Sequence, residues 1–505
     1  MRFNFFRAKE TATTNHEEAL AFPLDVRTEL YTAVVTTSLQ DNFYEKTNER
    51  LNRIVELIAQ NDAVFVAKLA VYARTRLHLR SIPLVLVIEL ARLHTGDSLV
   101  SRTIYRVISR ADEITELLAY YQLSNQRQNL KKLNRLSKQV QKGIALAFNK
   151  FDAYQFAKYN RAAEVRLRDA LFLVHPKAKD AAQQELFDNI INNTLATPFT
   201  WETELSALGQ VAFETAEQKS RAFTAKWEEL LDSGKLGYMA LLRNLRNILE
   251  ANVSGEHVAR LGAYLANEKA VKNAKQLPFR YLAAYREVLT VKSGFTAYVL
   301  TALEEAVKVS IRNVKGFAQP VKVVIACDVS GSMQQPVSAR SKILLYDIGL
   351  LLGMLLQHQC RHVMTGMFGD RWKLINLPQT NVLQNVQEFY RRAGEVGYST
   401  NGYLVIRDLI QRKVKADKVL LFTDCQLWNS TGDGGHLAQE WQQYKVLFPG
   451  ARLYLFDLAG YGQAPVHLVQ NSVFLIAGWS DKVFEVLEAI ENGQEALAVI
   501  DAIEI

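Results

Sequence analysis

Two rhythms of apolar and polar positions divide this chain. From about residue 27 to residue 315, apolar residues recur at helical spacing. Leu51, Ile54, Leu57 and Ile58 fall on one face, and Asn61 and Asp62 supply a cap before Val64, Phe65, Ala67 and Leu69. The run SIPLVLVIELARL is apolar on nearly all sides, which predicts a helix enclosed by its neighbours. Polar breaks such as HTGDS, LDSGK and ANVSGEH recur between such segments. Helix after helix joined by short turns predicts antiparallel pairs stacked as a solenoid or ring, although no repeat stands in the letters. After Gln319 the rhythm changes. Five β-rich runs follow (VKVVIACD, HVMTGMFG, KVLLFTD, ARLYLFDL and SVFLIAG), several separated by helical stretches. Strands apolar throughout and alternating with helices predict a parallel, doubly wound α/β sheet. Ligands of such sheets bind beyond the carboxyl ends of the strands, where the strand order reverses.

Composition sharpens one part of this picture. At 505 residues the chain is too long for one ordinary core. Its three cysteines, Cys327, Cys360 and Cys425, make no disulfide framework and no C-x-x-C pair. The amino-terminal stretch lacks the apolar run of a signal peptide, and no stretch reaches the length of a membrane span. A cytoplasmic protein with no membrane partner is expected. The formal charge of +8 is not spread evenly: Arg127 to Arg168 holds eleven Lys or Arg against Asp152 and Glu164. That segment alone carries the whole excess, the footprint of a site for a polyanion. Within it, Lys131, Lys132, Lys138 and Lys142 follow a helical pattern able to reach phosphates. Taken singly, each is better read as part of a solvated helix face; the cluster carries the inference.

The sharpest chemistry follows the first strand run, in CDVSGSMQQP. Asp328, Ser330 and Ser332 offer a carboxylate and two hydroxyls around Gly331. Oxygen donors on a tight turn suit Mg²⁺ or another hard divalent cation. Further oxygens stand downstream, at Thr400 in VGYSTNGYL and Asp424 in LLFTDCQLW. Taken alone, D-x-S-x-S also fits a capping turn at the start of a helix. The strand before it, with Thr400 and Asp424 in order after it, favours the metal.

This set of loops resembles the von Willebrand factor A domain and its metal-ion-dependent adhesion site. By that resemblance Ser330, Ser332 and Thr400 contact the metal through hydroxyls, and Asp328 and Asp424 act directly or through water. One metal position stays open for an acidic side chain of a partner. Earlier segments, among them VAKLAVYARTRLHLRSIPLVLVIEL, KFDAYQFAKYNR, LRDALFLVHPKAKD and LPFRYLAAYREV, resemble the TROVE module of the Ro autoantigen and its bacterial relatives. The resemblance implies an all-α, HEAT-like ring over residues 1–318 followed by an α/β von Willebrand factor A domain over 319–505. It implies binding of small noncoding Y RNA and of misfolded, single-stranded RNA ends, with an exoribonuclease among the partners in RNA quality control. AKYNR and LVHPK place Lys158, Arg161 and His175 where the family's RNA contacts lie, the arginine offset by one position. His175 fits equally a residue that caps or packs a helix end before Pro176. The second metal loop departs from the family pattern, with Asn401 where an acid is usual, and the third reads TDCQLW rather than Asp followed by Asn and Glu.

Two rival classes weigh against this reading. No P-loop, G-x-G-x-x-G, G-x-S-x-G or H-E-x-x-H occurs, and Asp328 with Asp424 are too few acids for a two-metal hydrolytic centre. No enzymatic activity is expected. The second rival is a metal-dependent docking scaffold without specific RNA binding, against which the basic segment argues.

Overall fold

In the computed structural model, the residues described are 13–37, 45–125, 136–160, 163–310, 320–337, 341–427, 437–468, 470–495 and 497–505. The chain forms two compact units: Leu51–Arg312 with Leu497–Ile505, and Met1–Arg50 with Asn313–Ala496.

The first unit is helical. The helix Thr47–Gln60 ends where the Asn61 side chain returns to the Leu57 carbonyl (2.7 Å), and Asp62 then caps the helix Ala63–Thr75 by accepting from the Phe65 N–H (2.8 Å). Two adjacent polar residues thus end one helix and begin the next, as their pairing in the sequence predicts. Ala63–Thr75 packs on Ser81–Leu93 and on Leu99–Val107, which in turn packs on Lys138–Phe148. Later, Tyr238–Glu250 packs on Pro278–Leu289, and that on Thr296–Val309. Every residue from Ile82 to Leu90 is buried, which explains the apolar run. Glu89 among them accepts from the Tyr120 hydroxyl (2.8 Å) and pairs with Arg92 (3.0 Å), so its charge is answered. No described helix is long and apolar enough to cross a membrane.

The second unit is built on a sheet. Its strands in chain order are β1 (Thr13–Thr14), β2 (Leu20–Pro23), β3 (Lys322–Asp328), β4 (His362–Phe368), β5 (Trp372–Leu374), β6 (Lys418–Thr423), β7 (Arg452–Asp457), β8 (Gln463–Ala464) and β9 (Val473–Ala477). The main sheet runs β5-β4-β3-β6-β7-β9. The five apolar runs are its five parallel strands, and β5 is an antiparallel edge. Side chains alternate across it. Val324 and Ala326 join Tyr403, Leu409 and Trp441 on one face, while Ile325 and Cys327 approach Gly353 of the helix Leu345–Gln359 on the other. The chain leaves β3 for β4 and later returns to β6 on the far side of β3. The strand order therefore reverses between β3 and β6, and a crevice opens at their carboxyl ends.

A boundary between residues 318 and 319 does not describe these units. The first fifty residues belong with the sheet. β2 pairs antiparallel with β8, matching Phe22 to Ala464, and the Tyr31 hydroxyl of the helix Val26–Val35 donates to the Ala477 carbonyl at the end of β9 (3.0 Å). The helical rhythm from residue 27 is correct for Val26–Val35, but this helix serves the sheet unit. The carboxyl end goes the other way: Ala498–Asp501 packs on Ala63–Thr75, and Lys68 bonds the Asp501 carbonyl.

Candidate functional site

Asp328 ends β3 and Asp424 follows β6, so both border the crevice. Parallel register puts Cys327 level with Phe422 and Thr423 level with Asp457, so Asp328, Thr423 and Asp457 end three neighbouring strands at one height. Asp328, Ser330, Ser332, Thr400 and Asp424 are all buried. The Ser330 N–H folds back to Asp328 Oδ1 (2.9 Å), and the Ser330 and Ser332 hydroxyls lie 3.3 Å apart. The Thr423 hydroxyl donates to Asp328 Oδ2 (2.6 Å), tying the third loop to the first. The second loop is tied by the Gly331 N–H to the Tyr398 carbonyl (2.9 Å). Gly369 is required here, because a Cβ would collide with the Gly397 carbonyl oxygen; its own carbonyl accepts from the Asn401 N–H (3.2 Å).

The electrostatics of the crevice favour a cation. Burial pushes the Asp328 carboxyl well above the usual range, and the neighbouring charge of Asp424 pushes it further; hydrogen bonds from Thr423 and Ser330 oppose both. Burial likewise raises Asp424, against the Ser332 hydroxyl and the Gln426 N–H, with the charge of Glu17 adding to the rise. Asp424 Oδ2 and Asn401 Oδ1 are buried without a hydrogen-bond partner. Two carboxylates placed side by side out of water, with an orphaned oxygen between hydroxyl-bearing loops, fit a hard divalent cation. Among the described residues no three His, Cys, Asp or Glu side chains gather to hold a metal. The candidate set instead combines two carboxylates with three hydroxyls. All three cysteines are buried and free.

Three residues of the crevice escape motif reading. Asp457 is fully buried; its Oδ1 accepts from the Ala459 (2.9 Å) and Gly460 (2.8 Å) N–H groups, and its Oδ2 has no partner. Burial raises it to about 6, with the charge of Asp424 contributing. The signal was present: YLFDL ends a strand run in a carboxylate as IACD and LFTD do. Asn15 and His16 reach the third loop from the amino-terminal segment, where Asn15 Nδ2 donates to the Leu427 carbonyl (2.8 Å) and the His16 N–H to Gln426 Oε1 (2.9 Å). No spacing rule links positions four hundred residues apart.

The basic segment divides on inspection. Lys131, Lys132 and Arg161 lie outside the described residues. Lys138 and Lys142 are exposed on the helix Lys138–Phe148. That helix sits close on Leu99–Val107, because a Cβ at Gly143 would stand 2.7 Å from Ile104 Cβ and 2.9 Å from the Ser101 carbonyl. It also packs on Leu167–Val174, whose exposed Arg166 and Arg168 extend the charge. His175 follows as that helix's C-cap in the left-handed region (φ 45°), donating its N–H to the Leu171 carbonyl (3.0 Å). The backbone therefore performs the capping and leaves the imidazole exposed. Lys158 is half-buried, its ammonium 5.6 Å from the Tyr154 ring centroid. Lys150 is spent internally: Nζ bonds the Tyr105 (2.7 Å) and Ile108 carbonyls at the end of Leu99–Val107, and burial lowers its proton affinity.

Comparison with known proteins places these features. The TROVE domain model matches residues 27–208 and 194–297. Two curated relatives share short stretches: telomerase protein component 1 of Mus musculus is 40% identical over 94 residues (19% of this chain, 3% of that protein), and that of Rattus norvegicus is 42% identical over 91 (18% and 3%). The chain thus aligns with only about 3% of the length of these relatives. Among solved structures, the crystal structure of Deinococcus radiodurans RO (RSR) protein matches with a TM-score of 0.60 at 16% identity, covering 93% of this chain and all of that one. At that identity the likeness speaks to fold, and its breadth spans the helical region and the sheet alike. With the family's model matched over more than half of its length, this chain belongs to the TROVE domain family.

Proposed function

We propose that this chain is an RNA-binding protein that holds small noncoding, Y-like RNA and the single-stranded ends of misfolded RNA, and recruits a protein partner through a divalent cation. In this reading the helical unit is a HEAT-like ring, and the sheet unit is a von Willebrand factor A domain with a metal-ion-dependent adhesion site. The observation that carries it is the exposed basic surface of two packed helices, Lys138–Phe148 and Leu167–Val174, in a member of the TROVE family. Lys138, Lys142, Arg166 and Arg168 neutralise phosphates and release counterions there. His175 would reach a base edge or a 2′-hydroxyl.

Asp328, Ser330, Ser332, Thr400 and Asp424 would hold Mg²⁺, which supplies an electrophilic anchor for an acidic side chain of the partner. An exoribonuclease is the partner that suits a role in RNA processing. The chain's own oxygens orient that anchor, because Thr423 and the Ser330 N–H fix the Asp328 carboxylate between them.

The test is a salt titration of a small structured RNA by filter binding. Lys138→Ala with Lys142→Ala should weaken binding and make the slope of log K against log salt shallower by about 2. Asp328→Ala should abolish Mg²⁺ or Mn²⁺ binding in calorimetry and leave RNA affinity within about threefold, under about 1 kcal/mol. Absence of RNA binding by the wild-type protein, with metal binding intact, would favour the docking scaffold.

A further inference from the structure

A cavity of about 580 Å³ lies within the helical unit. Its volume is that of a small-molecule site, yet its wall is strongly charged. Arg80, Arg110, Lys158, Lys235 and Arg243 line it against one acid, Glu202. Arg80 and Arg110 share Asp112 as their carboxylate partner (3.0 and 2.7 Å). Arg243 and, beside it, Arg280 have no ion pair among the described residues. Burial lowers the proton affinity of the Arg280 guanidinium, and the charges of Arg243 and Arg80 lower it further. Arg80, Arg110 and Arg243 therefore line one space, with a single carboxylate, Asp112, shared by the first two. Such a cluster is unfavourable until an anion enters it.

The remaining wall is aromatic, and cations sit over its rings. The Arg110 guanidinium is 4.3 Å from the Tyr159 centroid, and the Lys235 ammonium is 5.1 Å from that of Phe199. Trp201 and Tyr238 complete the lining. Rings interleaved with fixed positive charge are the means by which proteins hold single-stranded nucleic acid, stacking bases while cations take phosphates. The first turn of Tyr238–Glu250 also faces the cavity, and its cap, Gly237, has no side chain to occupy the free N–H groups.

We propose that this cavity is a binding site for the phosphorylated end of a nucleic-acid strand, with the terminal phosphomonoester against Arg80 and Arg243 and the adjoining base against the aromatic wall. The inference rests on the RNA-binding reading above and adds a chemical preference to it. A terminal monoester carries about −1.5 to −2 at neutral pH, more than the single charge of each internal diester, and presents three oxygens to guanidinium forks. The space accepts on the order of one or two nucleotides, which suits an end rather than a duplex. Lys158 then belongs to this site, since it lines the cavity instead of standing on the outer basic surface.

The experiment measures binding of a single-stranded RNA hexamer carrying an internal fluorescent base in three forms: 5′-phosphorylated, 3′-phosphorylated, and hydroxyl at both ends. The full chain is compared with Arg243→Glu, a change at an exposed position that spares the core, and with Arg80→Ala/Arg243→Ala. A structured RNA is titrated against the same proteins. One phosphorylated form should bind at least about tenfold tighter than the hydroxyl form, and which one does so identifies the end recognised. Both variants should lose that preference while keeping the structured RNA within about threefold. Equal binding of all three hexamers by the wild-type protein overturns the phosphate preference and leaves RNA binding intact. A preference that survives in Arg243→Glu overturns the assignment to this cavity. Failure of the structured RNA to bind the wild-type protein sinks the underlying RNA reading instead.

Discussion

Replacing Asp457 by Asn removes one buried charge at the end of β7 and leaves the local hydrogen bonds in place. An amide oxygen still accepts from the Ala459 and Gly460 N–H groups, as Asp457 Oδ1 does now. The carboxyl, ordinarily at 3.8, is raised by burial to about 6 in the folded protein. The sign follows from linkage. Below the ordinary value both states are protonated and the charge costs nothing. As pH rises from about 4 to 6, the unfolded chain releases its proton first, so the folded state loses stability. At about 1.4 kcal/mol per pH unit the loss reaches about 3 kcal/mol above pH 6. Asp457→Asn escapes it. The variant should match wild type near pH 4 and exceed it by about 3 kcal/mol at pH 8, roughly 6–12 °C in the melting midpoint of a unit this size. The assay is thermal unfolding followed by circular dichroism between pH 4 and 8.5 in chelator. Saturating Mg²⁺ should narrow the gap, because a cation beside Asp424 offsets the charge that faces Asp457. Parallel curves for the two proteins across the whole pH range would refute the reasoning, as would a variant less stable than wild type at pH 8.

Further outcomes follow from other contacts. Gly369→Ala drives a Cβ into the Gly397 backbone, so it should displace the second loop and weaken Mg²⁺ or Mn²⁺ binding by calorimetry at least tenfold; unchanged affinity would separate that loop from the metal. Gly143→Leu should cost about 1–3 kcal/mol by forcing the helix Lys138–Phe148 off Leu99–Val107, read as a lower urea midpoint. Lys150→Met should destabilise the helical unit by about 1–3 kcal/mol, since the Tyr105 and Ile108 carbonyls lose their donor, and should leave the salt slope of RNA binding unchanged. A shallower slope in Lys150→Met would mean that this lysine contacts phosphate after all.

What the sequence made legible was whatever a single segment could signal. Five apolar runs became five parallel strands because a strand buried on both faces needs no partner to announce its composition. The loops bearing Asp328 and Asp424 were readable for the same reason: each stands at the end of one such run, and the order of strands brings Asp328 beside Thr423. β5 was missed, being three residues long and paired on one side. The amino-terminal segment was assigned to the wrong unit because its attachment is backbone pairing of β2 with β8, which has no side-chain pattern. Lys150 and Lys158 entered the charge count as equals of Lys138, although one is committed to carbonyls and the other lines a cavity.

The cavity shows why a charge count along the chain finds one kind of anion site and misses another. The outer basic surface draws its lysines and arginines from about forty consecutive residues, so local net charge detects it. Arg80 and Arg243 lie outside that segment, in two short basic stretches, ARTRLHLR and LLRNLR, too far apart in the chain for a single window to join them. They meet because separate parts of the helical series line one space, and the convergence exists only once the unit has folded. Sites of these two origins should respond differently to unfolding. The local cluster keeps its charge density in a denatured chain, so weak, salt-sensitive RNA binding should persist in moderate urea. Discrimination between a phosphorylated and a hydroxyl end needs the assembled arginines, so it should vanish cooperatively with the helical signal. A urea series read by both hexamer preference and circular dichroism separates them. If end preference outlasts the helices, the preference belongs to the chain and not to the cavity.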